Sequence, residues 1–162
     1  MRFDQLKLTY RILQPKGADV GILAPRVTIN RKRIGAGIAI DPVAFCQSVR
    51  SAGEHFIFTC GCGVPGCARI YRGVIVLHAP DSIRWFMPEP IREPMEEDPS
   101  PAAPDNRWVY REYRFRLVAY RKALADALSQ ALSFAESNSR PVEIGPYGFS
   151  IRKLKALARR LQ

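Results

Sequence analysis

Apolar residues alternate with polar ones near the start of the chain and follow helical spacing toward its end. Residues 3–13 carry a large apolar side chain at nearly every second position, which predicts a half-buried strand. Short apolar runs bounded by turn residues predict further strands in the same way. These strands cover residues 20–29, 34–40, 55–60, 69–78, 83–87 and 107–120.

Three segments have the features of helices. In residues 41–53, Asp41 suits the N-cap, Pro42 suits the first helical position and Gly53 suits the end. Residues 119–137 form a long amphipathic pattern, and Ser150 is placed to cap a last helix. The predicted buried stripe of the first helix consists of Phe45, Cys46, Val49 and Ala52.

These elements predict an α+β fold: a mostly antiparallel sheet of six to seven strands, one short internal helix and two C-terminal helices. A length of 162 residues suits a single domain, 1–162. Residues 88–106 interrupt the pattern, because they hold six prolines and six acidic residues against one basic residue. We expect this stretch to be an exposed, mobile, Pro-rich acidic loop.

Basic residues dominate the rest of the chain. The net charge is +10, and outside residues 88–106 there are 24 Lys and Arg against 9 Asp and Glu. Such an excess favours binding to polyanions such as nucleic acid, although it also serves solubility alone. No apolar run is long enough for a signal peptide or a membrane span, so we expect a cytoplasmic protein.

Three of the four cysteines lie close together, at Cys60, Cys62 and Cys67. Neighbouring glycines and Pro65 favour a tight turn on which these sulfurs converge, as a zinc site requires. A structural zinc site needs a fourth ligand, and Cys46 on the internal helix is the remaining thiol. Three interpretations stay open: a metal site, a turn with reduced packed thiols, and a disulfide or redox pair.

Two histidines flank the cysteine turn in the sequence. If strands 55–60 and 69–78 pair around the turn, His55 and His78 lie toward the far end of that hairpin, out of reach of the cysteines. There they could approach Asp81, and two imidazoles with a carboxylate can bind a metal or transfer protons. The three residues are therefore a candidate site for hydrolysis.

The run "TCGCGVPGCARIYRGVIV", followed by "IRWFM" and later by "YREYRFRLVAYRKALADAL", resembles a group of uncharacterised bacterial proteins. These carry a Cys-x-Cys-Gly-x-Pro-Gly-Cys-Ala-Gly-Ile type turn, then a strand ending near a Trp, then an aromatic strand and a helix with a Tyr near its start. The resemblance covers residues 27–135, with Arg69 where the pattern usually has Gly. It implies a bacterial origin and supplies no catalytic residues.

The predicted strand 107–120 mixes basic and aromatic residues, with Arg111 on one face and Arg114 and Arg116 on the other. Basic and aromatic side chains on an exposed sheet can bind single-stranded nucleic acid through phosphate contacts and stacking. The alternation also fits a core face with solvated arginines. The last helix adds a basic face made of Arg152, Lys153, Lys155, Arg159 and Arg160.

The leading hypothesis is a non-enzymatic bacterial accessory protein that interacts with a protein partner and whose cysteine turn holds a structural metal, with zinc as the expected ion. The alternative is a nucleic-acid-binding module that uses the basic aromatic strand and the basic last helix. A third hypothesis is a hydrolase that works from His55, His78 and Asp81.

Overall fold

The computed structural model describes residues 2–13, 21–35, 38–90, 108–138, 142–144 and 150–161. The first strands are β1 (Leu6–Leu13), β2 (Gly21–Ile29), β3 (Lys32–Ile34), β4 (Ala39–Ile40), β5 (Gly53–His55) and β6 (Phe58–Thr59). The later ones are β7 (Val74–His78), β8 (Ser82–Pro90), β9 (Trp108–Arg116) and β10 (Val142–Ile144). The helices are α1 (Pro42–Gln47), α2 (Leu117–Ser137) and α3 (Ile151–Leu161), and a 3₁₀ turn covers Pro65–Ala68. The predicted α+β class is confirmed, although the described residues contain ten short strands rather than six to seven.

The first sheet is built on β2. β1 pairs antiparallel along its whole length, β3 pairs with its end, and β10 pairs parallel with its beginning. Asn30 and Arg31 form the tight turn between β2 and β3, and both have positive φ, as a two-residue hairpin turn requires. One face of this sheet is buried in the core through Leu8, Tyr10, Leu23, Val27 and Ile29.

The second sheet has the antiparallel order β5-β7-β8-β9. β8 continues through Pro88 and Pro90, which pair with Tyr110 and Trp108, so the expectation of a loop is wrong for residues 88–90. Among the described residues β7 pairs with β8 only as far as Phe86, which leaves one edge of β8 open beyond that point. Prolines lack an N–H donor and fit such an open edge. Residues 91–106 of the predicted loop lie outside the described residues.

Asp41 caps α1 as predicted, because its carboxylate accepts backbone hydrogen bonds at 2.7 and 3.2 Å from the first turn. The helix ends at Gln47 and not near Gly53, which begins β5. The Ser48 hydroxyl donates to the Phe45 carbonyl at 2.6 Å, a local bond that competes with continued helix. The predicted stripe is buried at Phe45, Cys46 and Val49, whereas Ala52 is exposed.

The long helix α2 begins at Leu117, so the strand predicted over 107–120 ends at Arg116. Tyr120, Leu124 and Leu128 are at most 1% exposed, and only helical spacing buries all three on one face. α3 packs against α2 through the buried Leu154 and Leu157, and its predicted basic face is exposed. Ser150 caps α3 by accepting a hydrogen bond from the Lys153 N–H at 3.3 Å.

One hydrophobic cluster joins the two larger sheets and the three helices. Its centre is aromatic: the Trp85 ring lies 5.3 Å from Phe45, 5.4 Å from Phe115 and 5.8 Å from Tyr120. Tilted and edge-on contacts of this kind add to the free energy gained by burial. α1, β8, β9 and α2 are therefore fixed relative to one another.

Candidate metal centre

The cysteine turn links β6 to β7 and is held by its own backbone. Gly63 has a φ of 76° and donates its N–H to the Cys60 carbonyl at 2.8 Å. The Cys67 N–H donates to the Val64 carbonyl at 3.1 Å within the 3₁₀ turn. Arg69 ends that turn in the left-handed conformation, with φ 55° and ψ 32°. The predicted tight turn is thus present, and its two halves carry the cysteines toward each other.

The sulfur atoms of Cys60, Cys62 and Cys67 all lie within 4.8 Å of one another. Two sulfurs bound to one tetrahedral zinc at about 2.3 Å each would be about 3.8 Å apart. An adjustment of at most about 1 Å therefore brings the observed arrangement to a bound geometry. Among the described residues, this is the only group of three or more His, Cys, Asp or Glu side chains close enough to share an ion.

Hydrogen bonds within the turn connect the three cysteines and shift the pKa values of Cys62 and Cys67. The Cys62 N–H donates to Cys60 Sγ at 3.1 Å. Hydrogen bonds with the Cys60 side chain and then with the Val64 backbone hold the pKa of Cys62 below its ordinary value. The pKa of Cys67 is raised, first by its hydrogen bond with Cys62 and then by the negative charge there. The titrations of Cys62 and Cys67 are consequently linked, and a cation placed beside them would favour the thiolate form of both.

Cys46, the fourth cysteine, lies apart from the other three. It is 5% exposed within the hydrophobic cluster and does not belong to the group formed by the other three cysteines. Burial, and then the nearby Asp41, raises the pKa of its thiol to about 12. A neutral, buried thiol packs as a small apolar side chain, so Cys46 serves the core.

The strand pairing around the turn differs from the prediction. β5 pairs with β7 only up to His55, which lies opposite Val74, whereas β6 leaves that hairpin and pairs with β4. His55 is therefore at the end of the hairpin nearest the cysteine turn and not at its far end. The Nε2 atom of its buried ring lies 3.0 Å from the Ser51 carbonyl, so that nitrogen is occupied by the backbone.

The second histidine and the acid do not join His55 in one site. His78 lies four residues beyond Val74 on β7, about 13 Å along the strand. Its Nε2 atom is 2.9 Å from the Ser48 carbonyl. Asp81 lies in the exposed β7–β8 turn. These three residues do not form the arrangement expected for a hydrolase. The two imidazoles are separated, and each contacts the backbone carbonyl of a different serine.

Two arginines of β9, Arg111 and Arg114, lie beside acidic residues of the same sheet. Arg111 pairs with Glu89 at 2.9 Å, and Arg114 lies 3.7 Å from Glu112, which also pairs with Arg84 at 2.8 Å. The Arg84 hydrogen bond is the main reason that the pKa of Glu112 is lowered.

The remaining parts of the predicted nucleic-acid surface are Arg116, the aromatic residues of β9 and the basic face of α3. Arg116 lies over the Phe3 ring at 5.1 Å, and Tyr113 and Phe115 are buried and cannot stack on a base. On α3, Lys155 pairs with Glu136 at 2.7 Å. The basic face of α3 is exposed, and on β9 the half-buried Trp108 and Tyr110 alternate onto the same face as Arg114 and Arg116.

A cavity of about 210 Å³ lies beside the cysteine turn and was not predicted. Ile38, Phe56, Phe58, Ile70 and Met87 supply most of its apolar wall, and His55 and Arg72 contribute polar groups. Its residues come from four separate parts of the chain, 34–38, 55–58, 70–74 and 87–88, so sequence spacing gives no signal for it.

Comparison of the chain with protein-family models, curated proteins and solved structures gave no match. None of the described helices combines the length and the apolar character needed to cross a membrane.

Proposed function

We propose that the chain is a non-enzymatic, metal-binding accessory protein whose cysteine turn holds one thiophilic ion, with zinc as the expected metal. The observation that carries this proposal is the convergence of Cys60, Cys62 and Cys67, whose sulfurs lie within 4.8 Å of one another. Thiolates bind soft or borderline ions such as zinc and copper(I) in preference to hard cations such as magnesium.

Exposure favours a metal site over a turn with packed thiols. Cys62 and Cys67 are exposed and Cys60 is only half-buried, whereas Cys46 shows how this chain packs a purely structural cysteine. Thiols that are exposed or only half-buried on one short turn gain little from burial. Their convergence is accounted for if they share a cation, since a cation offsets the repulsion between neighbouring thiolates.

The fourth coordination position is open in this proposal. The described part of the chain supplies three sulfurs and no further side chain to the group. A closed structural zinc site uses four protein ligands, whereas a site with three keeps a position for water or another molecule. A side chain of a protein partner can fill that position, and this links the metal to the expected role as an accessory protein.

Cobalt(II) titration tests the proposal, because thiolate-bound cobalt gives intense charge-transfer absorption. The metal-free protein should bind about one equivalent and show these bands, as expected for one tetrahedral sulfur site. Cys60→Ser, Cys62→Ser and Cys67→Ser should each weaken the bands and the affinity. Cys46→Ala is the matched control and should leave both unchanged. Bands of equal intensity in wild type and Cys62→Ser, or no bands at all, would refute the proposal.

A further inference from the structure

Three arginines from three neighbouring strands lie on the outer face of the first sheet. On β2, Arg26 and Ala24 alternate with the buried Leu23 and Val27 and so point away from the core. Arg11 on β1 is paired with Ala24, and Arg33 on β3 is paired with Thr28, two residues from Arg26. Directly paired residues share a face, so the register places the three guanidinium groups on one side.

These arginines line one groove of about 340 Å³. Leu13, Ile22, Ala24 and Ile38 form apolar parts of its wall, and Gly61 of the cysteine turn lies at its border. No acidic residue is among the described residues that line it. The volume falls at the lower end of the range of about 300–1,000 Å³ that is usual for small-molecule sites. The groove thus offers positive charge together with apolar surface.

Arg26 carries a buried hydrogen-bond donor in this groove. Its Nε atom is buried and makes no hydrogen bond to any described residue. A buried donor without an acceptor destabilises the folded state, and a bound anion would remove that cost. Arg111 and Arg114 on β9 differ, because Glu89 and Glu112 already pair with them.

We propose that this groove binds a small organic monophosphate, with the phosphate on Arg11, Arg26 and Arg33 and the organic part on the apolar wall. Guanidinium groups match phosphate oxygens in geometry as well as charge. Three cations suit a group that carries close to two negative charges. The described residues of the lining include no aromatic side chain on which successive bases of a nucleic acid could stack, which favours a small ligand over a strand of RNA or DNA.

The test uses the whole chain in its metal-free form, so that its outcome does not depend on metal binding at the cysteines. Calorimetry at fixed ionic strength compares adenosine monophosphate, ribose 5-phosphate and inorganic phosphate. We expect saturable binding of adenosine monophosphate at one site, and weaker binding of inorganic phosphate because it lacks the apolar contact. Arg26→Leu should weaken binding of adenosine monophosphate about tenfold or more, as loss of a charged hydrogen bond implies.

Two further variants separate the site from its alternatives. Arg33→Ala alters an exposed side chain of the groove and should also weaken binding, which keeps the test valid if Arg26→Leu does not fold. Arg121→Leu removes the same charge from the exposed surface of α2 and should leave binding unchanged. Equal weakening by Arg121→Leu would reduce the effect to net charge and overturn the proposal. So would the absence of saturable binding, or binding of single-stranded RNA without binding of the mononucleotide.

Discussion

The indole Nε1 of Trp85 donates a hydrogen bond to the phenol oxygen of Tyr120 at 3.1 Å in the centre of the core. The Ser48 hydroxyl lies 2.8 Å from the same oxygen and donates its own proton to the Phe45 carbonyl at 2.6 Å. Tyr120 must then donate to Ser48, so every proton of this chain of hydrogen bonds is used. Burial raises the pKa of Tyr120 well above its ordinary value, which keeps the donor in place.

Tyr120→Phe should destabilise the protein by about 1–3 kcal/mol. The substitution removes the hydroxyl that accepts the Trp85 hydrogen bond and donates one to Ser48, and it keeps the shape of the ring. It therefore leaves the buried indole N–H of Trp85 unpaired. Urea unfolding measures the loss. Tyr110→Phe on β9 removes the same hydroxyl from a half-buried ring and is the control, for which we expect a smaller change. Equal effects of the two substitutions would argue against this account of the core.

Stability should fall as the pH rises above about 9, because of Cys46. Burial raises the pKa of its thiol from 9.0 to about 12 in the folded protein. Between these values the unfolded chain has lost a proton that the folded chain retains, so rising pH favours unfolding. The raised pKa values of Tyr10 and Tyr120 act in the same direction at still higher pH.

The thermal midpoint of the metal-free protein across this pH range measures the effect. Cys46→Ala should lower the midpoint near neutral pH, since it leaves a small cavity, but should decrease its dependence on alkaline pH. Cys62→Ala removes an exposed thiol and should keep the steeper dependence of the wild type. The same dependence in all three proteins would assign the alkaline loss to other groups.

Arg69 holds a backbone conformation that favours glycine. Its φ of 55° places it in the left-handed region, which costs a residue with a Cβ about 1–2 kcal/mol. Glycine lacks a Cβ and holds the same backbone conformation without that cost.

Arg69→Gly should therefore be more stable than Arg69→Ala by about 0.5–1 kcal/mol in urea unfolding. Both substitutions remove the same arginine contacts, so their difference isolates the backbone term. An alanine variant as stable as the glycine variant would show that the turn does not carry this strain.

The open fourth position predicts a response to added ligand. Imidazole added to the cobalt(II) form should shift the visible absorption, because it would replace a water molecule on the ion. A closed site with four protein ligands would show no shift at moderate imidazole concentration. Cobalt-loaded protein in which imidazole only removes the metal would also contradict the open position.

The helices could be predicted because their signals are local. Asp41 before Pro42 gave the start of α1, and apolar spacing gave most of α2 and α3. The strand prediction runs four residues past the end of β9 at Arg116, because apolar alternation and helical spacing overlap where α2 begins at Leu117.

The candidate site was predictable only in part. The turn "CGCGVPGC" brings its three sulfurs together through nearby glycines and Pro65, so local sequence was enough. The place of His55 depended on β6 pairing with β4, and the groove of Arg11, Arg26 and Arg33 depended on the register of three strands. Neither can be read from the spacing of residues along the chain.

The central claim is that Cys60, Cys62 and Cys67 bind one metal ion together. The most direct measurement is elemental analysis of the protein purified without chelators, compared with Cys62→Ser and Cys46→Ala prepared in the same way. The account predicts about one zinc per chain in the wild type and in Cys46→Ala, and a large loss in Cys62→Ser. A wild-type protein free of zinc and other thiophilic metals, or a Cys62→Ser variant that retains the full amount, would contradict it.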